Sequence, residues 1–229
     1  MADIQLYSAK SCPFAQRTRL VLLEKGIAYD EIEIDLDNKP DWFETVSPYS
    51  KVPALKRGGE LVYESAVINE YLDEIVPEPR LMPAEPGRRA AARIWIDFCN
   101  TQFTTTWYKV LLAQEGEKRR KLGEQLTQHF LFMEEAGIGK LGGTYWLGDR
   151  VSLVDFTFYP WFERLPVMAH YRKITLPAAC RRLAAWAERM RGRPSVKTLA
   201  LPPETLIRNA SKYADGTQTG PTADELRDG

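Results

Sequence analysis

Ile4-Gln5-Leu6-Tyr7-Ser8-Ala9-Lys10-Ser11-Cys12-Pro13-Phe14-Ala15-Gln16-Arg17-Thr18-Arg19, running on to Lys25-Gly26, is the stretch that decides the fold of this 229-residue chain. Ile4 to Tyr7 reads as a short strand. Cys12-Pro13 opens a helix that runs to Lys25, with Pro in the first helical position and Gly26 just past the end, the usual asymmetry of the two residues at helix termini. A strand, a short loop and a helix in so few residues form the first half of an α/β unit, and Cys12 stands at the N-cap.

Outward from there, Ile32, Ile34 and Leu36 alternate with Glu31, Glu33 and Asp35, a half-buried strand. A short helical segment over Asp41–Val46 follows. Pro53-Ala54-Leu55-Lys56 and Leu61-Val62-Tyr63 flank Gly58-Gly59, a hairpin, and Ser65 to Ile75 reads as a helix. The order β-α-β-α-β-β-α describes residues 1–79 as one α/β unit. Pro77, Pro79, Pro83 and Pro86 then break regular structure, and 80–87 is read as a linker. The region 88–208 is read as all-helical, with helices over Arg88–Leu112, Glu117–Glu135 and Pro177–Met190. A start signal stands at 151–156: Ser152 and Asp155 as a capping box inside a Val151–Phe156 staple. The stretch 209–229 is polar and is expected to be a mobile tail.

Lys+Arg and Asp+Glu both number 31, so no general attraction to nucleic acid or anionic membranes is implied. The balance is not local: residues 1–79 hold 8 basic and 15 acidic side chains, net −7, leaving net +7 for the remainder. No run approaches the roughly 20 apolar residues of a membrane span. The opening Met-Ala-Asp-Ile-Gln lacks the features of a signal peptide. With three unclustered cysteines, Cys12, Cys99 and Cys180, a soluble chain in the reducing cytoplasm is expected. His129 and His170 are the only histidines, and no spacing suits a metal. Gly137-Ile-Gly139-Lys-Leu-Gly142 matches a dinucleotide-binding pattern but follows a helix, so it reads as a glycine-rich loop.

Cys12 carries the chemistry. At an N-cap its sulfur faces unpaired backbone N–H groups and the positive end of a helix dipole. Comparable settings lower a cysteine pKa from ~8.5 to roughly 3.5–7.5, and Arg17 and Arg19 are placed to add to the effect. The partner position of a Cys-x-x-Cys pair is Ala15. A lone thiolate needs an external thiol to turn over, and glutathione is the candidate. Cys99 and Cys180 lie in apolar helical stretches and read as inert.

The runs Ser11 to Arg19, Asn38-Lys39-Pro40-Asp41-Trp42-Phe43, Lys51-Val52-Pro53-Ala54-Leu55 and Tyr63-Glu64-Ser65-Ala66, in this order, resemble the glutathione transferase superfamily, closest to its cysteine-containing, omega-like class. The likeness spans roughly residues 3–200. It implies a thioredoxin-like N-terminal domain followed by a helical-bundle domain, glutathione as co-substrate, and a homodimer. Carried over by position, Val52 before a cis Pro53 would pair with the cysteinyl portion of glutathione. Ser65 and its helix would receive the γ-glutamyl carboxylate, Glu64 the ammonium, and Lys39 the glycyl carboxylate, with Phe14 walling the thiol site. An acceptor site is implied between the domains, around Thr104, Thr105, Trp107 and Tyr108, with Trp161 and Phe162 as further candidates.

Three functions follow. In the first, the Cys12 thiolate forms a mixed disulfide with glutathione, as in a thiol transferase or dehydroascorbate reductase. In the second, glutathione's own thiolate, stabilised by Ser11 or Tyr7, performs conjugation, ether cleavage or isomerisation. In the third, the fold is a non-catalytic ligand-binding or interaction protein.

Overall fold

The computed structural model describes residues 2–228, so Met1 and the last residue of the expected tail, Gly229, lie outside the described residues. Four strands form one sheet in the order β2-β1-β3-β4: β1 (Ile4–Ser8), β2 (Asp30–Glu33), β3 (Ala54–Arg57) and β4 (Glu60–Tyr63). β1 pairs parallel with β2 and antiparallel with β3, and β3 pairs antiparallel with β4. The parallel pair needs a crossover, and α1 (Pro13–Glu24) supplies it. Gly26 at φ +64 turns the chain out of α1, a conformation open to a residue without Cβ. The strand expected to run through Leu36 ends at Glu33. Ile34 is still buried, but Leu36 is 38% exposed, because the chain has left the sheet to form the cleft rim.

A 3-10 turn (Asp41–Thr45) precedes the hairpin, and α2 (Ser65–Ile75) closes the unit. Val52–Pro53 is cis, and so is Glu78–Pro79 in the connection that follows. That connection is anchored by buried Asp73, whose carboxylate accepts from Lys25 Nζ (2.7 Å) and from the backbone of Leu81 and Met82 (2.8 Å each).

Beyond it every helix or strand element among the described residues is a helix, with one isolated bridge between Tyr145 and Gly148 in the loop before Leu153. The stretch expected as one helix over Arg88–Leu112 is α3 (Pro86–Phe98) and α4 (Thr104–Leu112), joined through one π-helical turn, Cys99–Phe103. The extra residue in that turn rephases the helix, so Cys99 and Phe103 face the core while Asn100 faces the cleft. α5 (Gly116–Phe132) follows, ending in a second π turn, Met133–Gly137. α6 (Leu153–Glu163) is the central buried helix, and α7 (Leu165–Arg172) continues it. Then come α8 (Arg181–Arg191) and three helices the sequence did not announce: α9 (Pro194–Leu199), α10 (Pro203–Asn209) and α11 (Ser211–Ala214). The expected start of α8 at Pro177 falls four residues early, since Pro177–Cys180 forms a turn that ends with Cys180 as N-cap.

The segment expected as a mobile tail carries α11 and α12 (Pro221–Asp228), both lying against α4. Ala214 and Ala223 bury their methyl groups, and the Ala214 carbonyl accepts from Arg172 Nη2 (2.6 Å) and Gln114 Nε2 (3.1 Å). Polar composition hid two small apolar contacts and a satisfied carbonyl.

The core runs unbroken through the helical domain, from Phe103, Phe130 and Phe158 to Trp146, Trp161 and Trp186. Such side chains each contribute about 1.5–3 kcal/mol by burial. Its polar centre is Asp155, which is fully buried and accepts from Ser152 N and Oγ, Trp146 N and Trp186 Nε1. The capping box read from sequence is therefore also the keystone of an aromatic core.

Candidate active site

α1 begins at the mouth of an interdomain cleft of about 970 Å³, and Cys12 is its N-cap. The backbone N–H groups of Phe14 and Ala15 point at the Cys12 sulfur, while Sγ itself donates to the Val52 carbonyl at 3.8 Å. Cys12 is half-buried as a residue, yet its sulfur is enclosed, and enclosure pushes the thiol above its ordinary value. The two amides and the Arg164 and Arg19 guanidiniums pull the other way without overcoming burial. This corrects the sequence-based expectation of a ready thiolate: enclosure of the sulfur favours the neutral thiol. Cys99 and Cys180 are buried more completely and held at about 12 and about 11, in keeping with inert core thiols.

The loop before α1 is fastened to the helical domain. Arg164, buried between α6 and α7, donates Nη2 to the Ser11 carbonyl (3.1 Å) and Nη1 to Gln16 Oε1 (2.6 Å), while Gln16 Nε2 reaches Glu163 (2.7 Å). The position of Cys12 thus depends on residues about 150 positions away. Ser11 lines the cleft, but Tyr7 does not: its ring is buried against Trp42 and Phe43, which removes it as a hydroxyl for this site.

Phe14, Lys39, Val52, Pro53, Glu64 and Ser65 all line the same cleft. Lys39 Nζ is held by the Ser50 carbonyl at 2.7 Å, and its pKa is lowered by partial burial and by nearby Lys51. Ser65 is the first residue of α2 rather than its N-cap, a place taken by Glu64 at φ +68 and ψ 115. That backbone costs on the order of 1–3 kcal/mol, and it sets Glu64 and Ser65 on the cleft wall. The Ser65 hydroxyl accepts from buried Arg17 Nη1 at 3.3 Å.

Across the cleft stand Thr104, Thr105, Trp107 and Tyr108. Trp161 and Phe162 do not line it; they are buried behind it, with Phe14 packed edge-on against Trp161 at 5.1 Å. Hydrophobicity at helical spacing made these rings indistinguishable from a ligand wall.

Several cleft residues were not singled out from sequence: Asn100, Arg164, Lys51 and Tyr213. Tyr213 packs on Tyr108 at 5.1 Å, and burial pushes its hydroxyl up to about 12. The C-terminal segment crosses the cleft mouth, with Glu225 on Lys51 (2.8 Å) and Lys212 on Asp37 (2.7 Å). These pairs are exposed and worth at most ~1 kcal/mol each. No signal in the local sequence marks such residues, because each reaches the site through tertiary packing.

Two family models match: the "Glutathione S-transferase, N-terminal domain" over residues 6–80 and the "Glutathione S-transferase, C-terminal domain" over residues 117–189. The chain is 35% identical over 204 residues to glutathione S-transferase omega-1 of Sus scrofa, covering 89% of this chain and 83% of the relative. This chain belongs to the glutathione S-transferase family. The transferase is also 34% identical to glutathione S-transferase omega-2 of Homo sapiens, covering 86% of this chain and 80% of that one. Among solved structures, glutathione transferase Omega 3C from Trametes versicolor superposes with a TM-score of 0.83 at 30% identity, covering 93% of this chain and 91% of its own. Rice GST1, solved in complex with glutathione, superposes at 0.83 and 26% identity, covering 94% and 98%. The likeness to omega-class enzymes makes this transferase a glutathione-using enzyme, with the cleft around Cys12 as its candidate active site. No helix among the described residues is long and apolar enough to cross a membrane.

Proposed function

We propose that this transferase is a glutathione-dependent thiol transferase in which Cys12 is the nucleophile. The observation that carries the reading is the cysteine sulfur at the N-terminus of α1, faced by the Phe14 and Ala15 amides and bonded to the Val52 carbonyl. Glutathione bound along Val52 would engage that carbonyl with its cysteinyl N–H. The thiol then loses its acceptor, a bond that favours the neutral form, and keeps the amides, which favour the thiolate. Ligand entry itself would activate the sulfur.

The Cys12 thiolate attacks the glutathionyl sulfur of a mixed disulfide. The S–S bond breaks, the substrate thiolate leaves and takes a proton from water, and Cys12 is left disulfide-bonded to glutathione. A second glutathione thiolate attacks that bond, releasing the Cys12 thiolate and oxidised glutathione. Lys39 would hold the glycyl carboxylate, Ser65 the γ-glutamyl carboxylate and Glu64 its ammonium. Tyr108 and Trp107 would face the acceptor. Incubation with oxidised glutathione is expected to add one glutathionyl group to the peptide containing Cys12, removable by dithiothreitol. Modification of Cys99 or Cys180 instead, or of none, would sink this assignment.

One observation favours a second reading. The Cys12 sulfur is enclosed, which raises its pKa, and the adjacent Ser11 lines the cleft; in this reading glutathione's own thiolate is the nucleophile and the Ser11 hydroxyl its hydrogen-bond donor.

A reducing, cytoplasmic setting suits three free cysteines. A homodimer is part of the proposal: exposed Val67 on the N-terminal domain and exposed Ile94 and Phe132 on the helical domain offer apolar surface on units of opposite net charge. Light scattering should give twice the 26.2 kDa chain mass. A monomer at micromolar concentration would refute the pairing.

A further inference from the structure

Arg17 is 1% exposed and makes no ion pair among the described residues. Its guanidinium lies over the rings of Trp161 (4.3 Å) and Phe14 (5.0 Å), and its Nε donates to the Thr157 carbonyl at 2.8 Å. Nη2 donates to Cys99 Sγ at 3.2 Å. Only Nη1 is directed to cleft residues: it donates to Asn100 Oδ1 at 2.7 Å and to Ser65 Oγ at 3.3 Å. Burying a cation without a counter-charge is unfavourable, so a guanidinium beneath a ligand cleft calls for an anion on the other side of the groups it holds.

The bond to Asn100 also fixes an orientation. With Oδ1 engaged by the guanidinium, the side-chain amide must present Nδ2, a donor, elsewhere, and Nδ2 has no hydrogen-bond partner among the described residues. Asn100 lines the cleft because the π-helical turn Cys99–Phe103 turns it there. Ser65 is on the same wall and shares the same guanidinium nitrogen, so the serine hydroxyl and the asparagine amide stand side by side, from different domains.

We infer that Asn100 is a ligand-binding residue whose Nδ2 donates to the γ-glutamyl carboxylate of glutathione beside Ser65, and that Arg17 is the positioning residue that sets both. The inference rests on the reading of the cleft as a glutathione site. Arg17 keeps the Ser65 hydroxyl and the Asn100 amide oriented before ligand arrives, and the carboxylate supplies the negative charge the buried guanidinium lacks. Without that bond the amide is free to turn its oxygen outward, which would repel a carboxylate.

The test is calorimetric titration with S-methylglutathione, which cannot form a disulfide with Cys12, on wild type, Asn100→Ala and Asn100→Asp. Asn100→Asp places a carboxylate directly on Arg17, so its thermal midpoint should equal or exceed that of wild type. Its Kd should nevertheless weaken about 10-fold or more, because a donor to a charged group has become an acceptor. Asn100→Ala should weaken binding by a smaller factor, roughly 3- to 10-fold. Alkylation of Cys12 by iodoacetamide, which needs no glutathione, should stay within about 2-fold of wild type in both. Either variant binding S-methylglutathione as tightly as wild type overturns the inference, as does a parallel fall in alkylation, the mark of a general disturbance of the cleft. Failure of wild type itself to bind refutes the glutathione site, a result distinct from any of these.

Discussion

Cys12→Ser is expected to lose glutathione-dependent reduction of a mixed disulfide by about 10³-fold or more, since a hydroxyl cannot form the intermediate disulfide and a lost nucleophile is not replaced by its neighbours. Stability should change by no more than about 0.5 kcal/mol, because Cys12 is half-buried and its sulfur makes one long bond. If the variant keeps its reductase activity, or conjugates electrophiles better than wild type, glutathione's own sulfur is the nucleophile and Ser11 becomes its partner.

The pH dependence of alkylation gives an independent check on the free enzyme. Burial raises the thiol pKa, so at neutral pH a smaller fraction is thiolate than in an unhindered cysteine near ~8.5. The alkylation rate should therefore climb through neutrality and beyond that value without levelling off below it. Arg164 and Arg19, which lower the pKa, and Tyr108, Tyr213 and Lys39, which face the same sulfur, set the remaining electrostatics. A plateau below pH 7 would show that the helix amides and guanidiniums outweigh burial, and would restore the sequence-based expectation.

The second large effect is on stability. Asp155→Ala should cost about 3–5 kcal/mol, because it strands Trp146 N–H, Trp186 Nε1–H and the two Ser152 donors in a dry core. Against a total of roughly 5–15 kcal/mol, that is a large share, and the thermal midpoint should fall by about 10 °C or more. Asp155→Asn should fare little better: one oxygen becomes an NH₂ that faces donors. A midpoint within about 2 °C of wild type for Asp155→Ala would mean that the aromatic stack alone orients α6.

The N-terminal half was legible because its signals are local. Pro13 and Gly26 bracket α1, the Gly58-Gly59 pair joins β3 to β4, and Ser65–Ile75 is the helix observed. Each follows from a dihedral preference or a period that adjacent residues alone determine. Cys12 as N-cap is of the same kind, and so are Lys39, Val52, Glu64 and Ser65, which the cleft gathers together. The misplaced residues shared one ambiguity: Trp161 and Tyr7 are aromatic and near the site in sequence or pattern, but only packing decides whether a ring faces core or cleft.

The order of elements in the N-terminal unit and the place of Cys12 at a helix N-terminus were therefore determined by the sequence itself, since backbone sterics and hydrophobic period act over a few residues. The tertiary structure decided the ionisation of Cys12, the attachment of its loop through Arg164, the folding of the C-terminal segment over the cleft, and the Arg17–Asn100–Ser65 cluster. Each of these depends on desolvation or on hydrogen bonds between residues 48 to 175 positions apart. Burial and directional bonds act through space, and no window on the sequence contains both partners.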